Sequence, residues 1–463
     1  MKIRLCRLAI ASLLFTGPAL AQTDPLVEEG RRIFFEETFD GNGRTCGTCH
    51  PAEHNFTIDA DFIANLPDDD PLFVHENDPE NLGDLENASL LREFGLILEN
   101  VDGLPPQQAV FRGVPHNIGM SVSIRSDLDR PGHATGWSGD GAPVDPDIEG
   151  ADGSIRAFLI GGIIQHFPRT LARDPVGVPP DVPPDFRLPT EEELDAVEAF
   201  LLSLGRQEEL DLASMRFSDQ NVDAGRQLFL GDEEDASCHG CHGNAGANDD
   251  EGFNSNFDTG TRMLSQDPDF FDPPLPPDGG FGAQPHADGG FGDGTMNTPS
   301  LVEAADTPPF FHNNAAETLE DAVTFYTTTT FAESRSGGFR GGAFDFTPGQ
   351  VDQVAAFLRA INAQENVRNG NALSAQAQRL PGDQARDWIR QVIAETEDAI
   401  EVLEGAATGR FQPTVPQLRA ALGHERRALD ARNDAQRNRS LQQAQNMKAR
   451  AIEAMFSRRV ASR

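Results

Sequence analysis

Cys46-Gly47-Thr48-Cys49-His50 and Cys238-His239-Gly240-Cys241-His242 decide how this chain is read. Each is a C-x-x-C-H motif: two thiols three positions apart can each add to one vinyl group of a haem, and the adjoining imidazole then reaches the iron. A single C-x-x-C would also suit a zinc half-site or a redox dithiol, but a His directly after the second Cys, in both copies, argues against those readings. Together the motifs use every cysteine except Cys6. The sequence therefore predicts two covalently bound c-type haems, one on Cys46, Cys49 and His50, the other on Cys238, Cys241 and His242.

Ahead of the first motif, Lys2, Arg4 and Arg7 precede an apolar run from Leu8 to Phe15 and then Ala19-Leu20-Ala21. That is the pattern of a secretory signal peptide, residues 1–21, cleaved before Gln22. Cys6 lies before the apolar run and leaves with it. No later stretch approaches the roughly 18 apolar residues of a membrane span. The mature chain is expected in the periplasm, where haem is attached to exported apoproteins, with no integral membrane segment. Its 463 residues suffice for two or three domains, and 38% hydrophobic content can build their cores. The formal net charge of −37 is uneven: from Asn366 onward 16 Arg or Lys face 11 Asp or Glu, a net of +5, which leaves −42 for the rest. So acidic a body argues against nucleic acid as a partner and fits solvation or docking to a basic redox protein.

The surroundings of the two motifs repeat. Gly30-Arg31-Arg32-Ile33-Phe34 precedes the first by 16 residues, and Gly225-Arg226-Gln227-Leu228-Phe229 the second by 13. Downstream, Thr190 with Glu193 and Thr347 with Gln350 read as capping boxes, the second with Pro348 at the first helical position. Apolar residues then fall at the same offsets: Leu194, Val197, Phe200, Leu201 and Leu204 in one copy, Val351, Val354, Phe357, Leu358 and Ile361 in the other. That is one face of a 3.6-residue helix written twice. Between these helices the chain is rich in Gly, Pro and Asp, as in Asp272 to Gly280, which favours irregular loops. The expected fold is mainly α, with two tandem cytochrome c-like haem domains with long loops, residues 22–210 and 211–365, and a C-terminal helical hairpin over 366–463. In that extension the helical pattern runs through Trp388, Ile389, Val392, Ile393, Ile400 and Val402, breaks at Pro413 and Pro416, and resumes from Val415 to Phe456.

Asn297-Thr298-Pro299-Ser300-Leu301, Thr307-Pro308-Pro309-Phe310-Phe311-His312-Asn313 and Thr318-Leu319-Glu320-Asp321-Ala322-Val323-Thr324-Phe325-Tyr326 resemble a characteristic stretch of one family. It is the bacterial di-haem cytochrome c peroxidase superfamily, which also holds the MauG-like tryptophan-modifying enzymes and the latex-cleaving rubber oxygenases. The resemblance covers roughly residues 28 to 362. It implies that Tyr326 is the distal ligand of the haem on His242, against the alternative of a phenol that is only hydrogen-bonded. Tyr326 is the one tyrosine in a chain with 31 phenylalanines, so a generic core aromatic would have been Phe. A phenolate favours oxidised iron, whereas a Met thioether raises the potential. Met263, Met296, His286 and His312 are rival ligands. Gly113-Val114-Pro115-His116-Asn117 is similar to the family's N-x-P-T-x-x-N stretch. Trp137, in Gly136-Trp137-Ser138-Gly139-Asp140-Gly141, is similar to the tryptophan that carries electrons between the haems, with plain packing the alternative.

The chain departs from the family where peroxidases place a Gln and a Glu over the open haem to move the proton during O–O cleavage. Those positions fall on Phe158 and on the stretch His166 to Pro168. An apolar Phe there is similar to the rubber-oxygenase pocket, where dioxygen is kept from proton donors; His166 is either an acid–base or ligating group or a buried structural His. His54, His75, His116 and His133 are further histidines with ligand chemistry. The family's calcium ion would take the carbonyls of Thr307 and Pro309, but its Asn position is Gly113. The resemblance thus implies a periplasmic di-haem oxidoreductase that uses peroxide or dioxygen at the N-terminal haem, exchanges electrons through the C-terminal haem and meets a small redox protein as donor or acceptor. The alternative is a di-haem electron carrier without substrate turnover.

Overall fold

The computed structural model describes residues 24–99, 110–123, 154–173, 185–231, 237–252, 254–276, 278–280, 294–407 and 410–457. The signal-peptide segment, Trp137, His133 and His286 lie outside the described residues. The longer helices are α1 (Pro25–Glu36), α2 (Ile155–His166), α3 (Glu191–Ser203), α4 (Gln220–Leu230), α5 (Leu319–Phe325), α6 (Pro348–Ala377), α7 (Arg386–Glu404), α8 (Val415–Leu429) and α9 (Asp434–Met455). Strands are few among the described residues: β1 (Leu96–Glu99) pairs antiparallel with β2 (Val110–Gly113), and β3 (Asn256–Phe257) with β4 (Met296–Asn297). The protein is mainly helical, and no described helix is long and apolar enough to cross a membrane.

Both capping boxes form. Thr190 accepts from Glu193 N at the head of α3 while the Glu193 carboxylate accepts from Thr190 N; Thr347 and Gln350 do the same at the head of α6. Each capped helix is crossed by the glycine-bearing helix of its own half. A Cβ on Gly30 of α1 would stand 1.9 Å from the Ala196 carbonyl oxygen, and one on Gly225 of α4 would stand 1.9 Å from that of Gln353. Each carbonyl follows its capping Thr by six positions, so the repeat seen in sequence recurs as the same helix crossing. Only glycine allows so close a backbone approach. Gly225→Ala must push α4 off α6, and we expect it to cost about 1–3 kcal/mol. Urea unfolding of the variant checks this; an unchanged midpoint would show that the two helices separate freely.

Ile33, Phe34, Leu194, Val197, Phe200 and Leu201 form the first core, together with Ile155, Leu159 and Ile163 of α2. The second is built on Val222, Phe229, Val354, Phe357, Leu358 and Ile361. It does not stop at the expected boundary: Ile400, Leu403, Leu418, Ala451 and Met455 of the C-terminal helices belong to the same cluster. The boundary at 365/366 falls inside α6, because no proline intervenes before Pro381 and two Asn side chains there bind one carboxylate. Asn362 and Asn366 are buried and both donate to Asp306 Oδ2, at 2.8 and 2.7 Å. The expected hairpin is three helices, since the segment from Val415 to Phe456 breaks at Asp430, where Asn433 caps α9 by accepting from Gln436 N.

The halves are joined by polar contacts. Gly113 N donates to the His312 carbonyl at 2.8 Å. Asn314 Nδ2 donates to the Phe94 carbonyl at 2.8 Å. Arg112 makes two 2.8 Å bonds to Asp278.

Candidate functional site

Cys46 to Cys49 is a single helical turn capped by Thr45 and Thr48, so the two thiols, three positions apart, share one face. His50 follows, and its Nδ1 lies 2.8 Å from the Phe56 carbonyl. A carbonyl only accepts, so Nδ1 carries the proton and Nε2 keeps its lone pair. Burial pushes the His50 pKa down to about 4, so the ring is neutral at pH 7. The second motif repeats the chemistry in a 3₁₀ turn, Cys238–Gly240. His242 Nδ1 lies 3.0 Å from the Pro299 carbonyl, and burial again lowers its pKa to about 4. A neutral imidazole with one nitrogen tied to a carbonyl and the other free is the form in which histidine binds a metal.

The thiols bear on the rival readings. Burial pushes Cys46 and Cys238 up to about 12 and Cys49 up to about 11. A reactive dithiol needs the opposite shift. Nor do the described residues gather three His, Cys, Asp or Glu side chains into a group that could hold a bare metal ion, as zinc requires. Arg340, on the short helix Arg335–Arg340, donates to Cys241 Sγ at 3.2 Å and to the Ser237 carbonyl at 2.9 Å.

Tyr326 ends α5 close enough to Cys241 and Cys238 for both thiols, after burial, to raise its phenol pKa. Its ring sits among Phe331, Phe325, Phe344 and Phe311, with centroids 5.1, 5.4, 6.4 and 6.5 Å away. Of its rivals, Met263 is 45% exposed, and His312 stands with its Nε2 3.7 Å from Asp278 Oδ2 at the junction of the halves. Burial lowers His312 to about 4.

At the first site α2 carries both Phe158 and His166. His166 Nε2 lies 3.6 Å from Glu99 Oε1 at the end of β1, a charge contact longer than a hydrogen bond. His166, His116 and Glu99 all bear electrostatically on His50. Burial opposes ionisation of Glu99, but His166 beside it, with Arg112 adding, outweighs burial and sets its pKa below the usual carboxylate value. The register places Arg112 opposite Ile97 and Val110 opposite Glu99, so Glu99 and Arg112 are diagonal neighbours on one face of the ribbon. Phe158 is partly buried two turns before His166 and lies outside the packed cluster of Ile155, Leu159 and Ile163.

Several functional candidates escaped the sequence. Glu99 ends an apolar strand, Leu96-Ile97-Leu98-Glu99, with no motif to mark it. Arg206, 2% exposed in the linker after α3, donates to Glu303 Oε1 at 2.7 Å and to Ser300 Oγ at 3.1 Å, next to the Pro299 carbonyl that holds His242. Glu303 and Arg206 also bear on His116, which places this ion pair between the two motifs. The other histidines are engaged or enclosed: His54 Nδ1 lies 3.1 Å from the Thr57 carbonyl, and His75 is buried 3.6 Å from Glu76.

Thr307 Oγ1 donates to the Glu303 carbonyl at 3.0 Å. A Cβ on Gly113 would stand 2.1 Å from Asn314 Oδ1, so an amide from the other half fills the place of the missing side chain. No protein-family model, curated protein or solved structure matches the chain.

Proposed function

We propose that this chain is an exported di-haem c-type oxidoreductase of the kind the di-haem cytochrome c peroxidases represent, with a haem in each of two tandem cytochrome c-like domains. One observation carries the reading: each His that follows a cysteine pair is half-buried, neutral at pH 7 and hydrogen-bonded through Nδ1 to a backbone carbonyl, which leaves Nε2 as the nitrogen that would bind a metal. Cys46, Cys49 and His50 would hold the first haem and Cys238, Cys241 and His242 the second, where Tyr326, close to both cysteines, would be a further ligand. When bound, the haems supply an iron that exchanges electrons and, at the first site, activates peroxide or dioxygen.

The protein's own share is electrostatic and acid–base. The Phe56 and Pro299 carbonyls fix the tautomer and orientation of the two imidazoles. Glu99 and His166 place a carboxylate and an imidazole together at the first site, able to accept a proton from a hydroperoxide and return it to the departing oxygen. They stand in for the acid–base pair that the sequence lacks at its expected positions. The Phe side chains around Tyr326 give the second site an apolar wall, and electrons enter or leave there through a small basic redox protein suited to the acidic body. Trp137 would carry electrons between the sites. A calcium ion would take the carbonyls of Thr307 and Pro309; Gly113 offers no side-chain oxygen, and Asn314 Oδ1, whose Nδ2 donates to the Phe94 carbonyl, stands in its place.

His116 favours the second reading, a carrier without turnover: it lies near His50 and is another neutral imidazole, its pKa lowered by burial. The purified exported protein separates the readings. Haem should remain on the denatured chain, two per molecule, and the reduced protein should bind carbon monoxide at one iron. Loss of all haem on denaturation refutes the proposal; two haems that ignore both carbon monoxide and peroxide establish the carrier. Tyr326→Met should convert the spectrum of the second haem, and an unchanged spectrum removes Tyr326 as a ligand.

A further inference from the structure

The loop that orients His50 is held from outside its own half. From Pro51 to Thr57 the chain turns back so that the Phe56 carbonyl reaches His50, and it does so with two consecutive non-glycine residues in left-handed backbone, Asn55 at φ 52° and Phe56 at φ 57°. Left-handed backbone is strained for a residue with a side chain and persists where the surroundings over-determine it. Two ties are local: Phe56 N donates to the Pro51 carbonyl at 3.0 Å, and Thr57 Oγ1 donates to the Val114 carbonyl. The third leaves the half altogether, since Asn55 Nδ2 donates to the Asp306 carbonyl at 3.1 Å, and the same side chain lies close enough to Asp398 on α7 to oppose the rise that burial gives its carboxyl pKa.

The second motif provides an internal comparison. It too has a left-handed pair, Asn244 and Ala245 at φ 52° and 61°. There the Asn side chain stays at home, with Asn244 Oδ1 accepting from Leu212 N at 3.4 Å. A left-handed pair beginning with Asn thus follows each motif, five residues after His50 and two after His242, and only the first reaches across to the other half and towards the C-terminal helices. Asp306 is in turn fixed by Asn362 and Asn366 of α6, at 2.8 and 2.7 Å, so the hydrogen-bonded anchor of Asn55 is set by the helical layer that includes the extension.

We propose that Asn55 is a positioning residue through which α6 and α7 hold the Phe56 carbonyl against His50, making the C-terminal helices a working part of the first site. This rests on the haem reading of that site. An Nδ1–H donated to a carbonyl makes imidazole a stronger donor through Nε2 and favours the oxidised metal. Loosening the loop weakens that donation at the first haem and leaves the second alone.

The test uses the full-length haem-loaded protein and reads the iron–histidine stretch of the ferrous state by resonance Raman, with the midpoint potential of each haem by spectroelectrochemistry. Asn55→Ala should lower the stretching frequency and raise the potential of the haem on His50 while the haem on His242 keeps its own. Asp398→Ala should shift both readouts the same way by less, and Asp398→Asn, which retains an acceptor, should restore them; this pair decides the question if Asn55→Ala does not fold. Asn244→Ala should leave the first haem untouched. Unchanged Raman and potential in an Asn55→Ala protein that keeps both haems overturns the proposal, as do equal shifts at both haems. A wild-type chain without covalent haem would instead refute the functional reading beneath it.

Discussion

Glu99→Gln is expected to lower peroxide- or dioxygen-dependent turnover by about 100-fold or more, the scale of one positioned acid–base group. The amide keeps the size of the carboxylate and its place at the end of β1 but cannot take a proton. Binding of carbon monoxide and the covalent haem content should stay as in the wild type, because Glu99 is neither a proximal ligand nor a core packing residue. His166→Gln should resemble it, and the double variant should lose little more than either single one, since the two groups act on the same proton. Single-turnover reaction with peroxide, followed at the Soret band, measures the step directly. If Glu99→Gln reacts at the wild-type rate, the carboxylate is structural and the first site works as an apolar pocket of the rubber-oxygenase kind, with Phe158 its main determinant.

The largest stability effect should come from Lys448→Met. Lys448 Nζ lies 2.7 Å from Glu425 Oε1 between α9 and α8, and both side chains are only 1% exposed. Removing the cation leaves a carboxylate buried alone, which costs about 3–5 kcal/mol, a large fraction of the stability of an ordinary domain. Burial already raises Glu425 above the usual carboxylate value, with Lys448 opposing it. Without Lys448 the folded-state pKa climbs further above the unfolded one. A group raised in this way favours the fold when protonated and disfavours it as pH rises through the folded pKa. The deficit of Lys448→Met should therefore be larger at pH 8 than at pH 5. Adding Glu425→Leu should recover most of it, because a buried pair replaced by apolar groups is often neutral. Urea unfolding at the two pH values measures both effects, and a single variant within about 0.5 kcal/mol of wild type would show that water reaches the pair.

Neither residue of that pair could be singled out from the chain alone. Glu425 and Lys448 stand in polar, arginine-rich helical sequence of the kind that normally faces solvent. What buries them is the packing of α8 and α9 against α6 and α7, a contact between segments that have no pattern in common. The same holds for Glu99 and His166, which lie far apart in sequence and meet because β1 and the end of α2 converge on the first motif. Such encounters follow from where elements dock, and a local pattern does not encode docking.

The cysteine motifs, the capping Thr residues and the apolar offsets of α3 and α6 are different in kind. Each depends on atoms a few residues apart: a thiol three positions from another, a hydroxyl over the third amide, one helical face recurring at a fixed period. The sequence by itself therefore determined the two motif turns, the helices that close each half and the repeat that relates them. Only the tertiary structure decided that α6 runs on past 365, that the C-terminal segment is three helices sharing the second core, and that Asn55 ties the His50 loop to that layer. The physical reason is range. Caps, turns and periodicity are local hydrogen bonding and sterics, whereas the choice of partner for a buried polar group is made by whichever distant chain removes it from water.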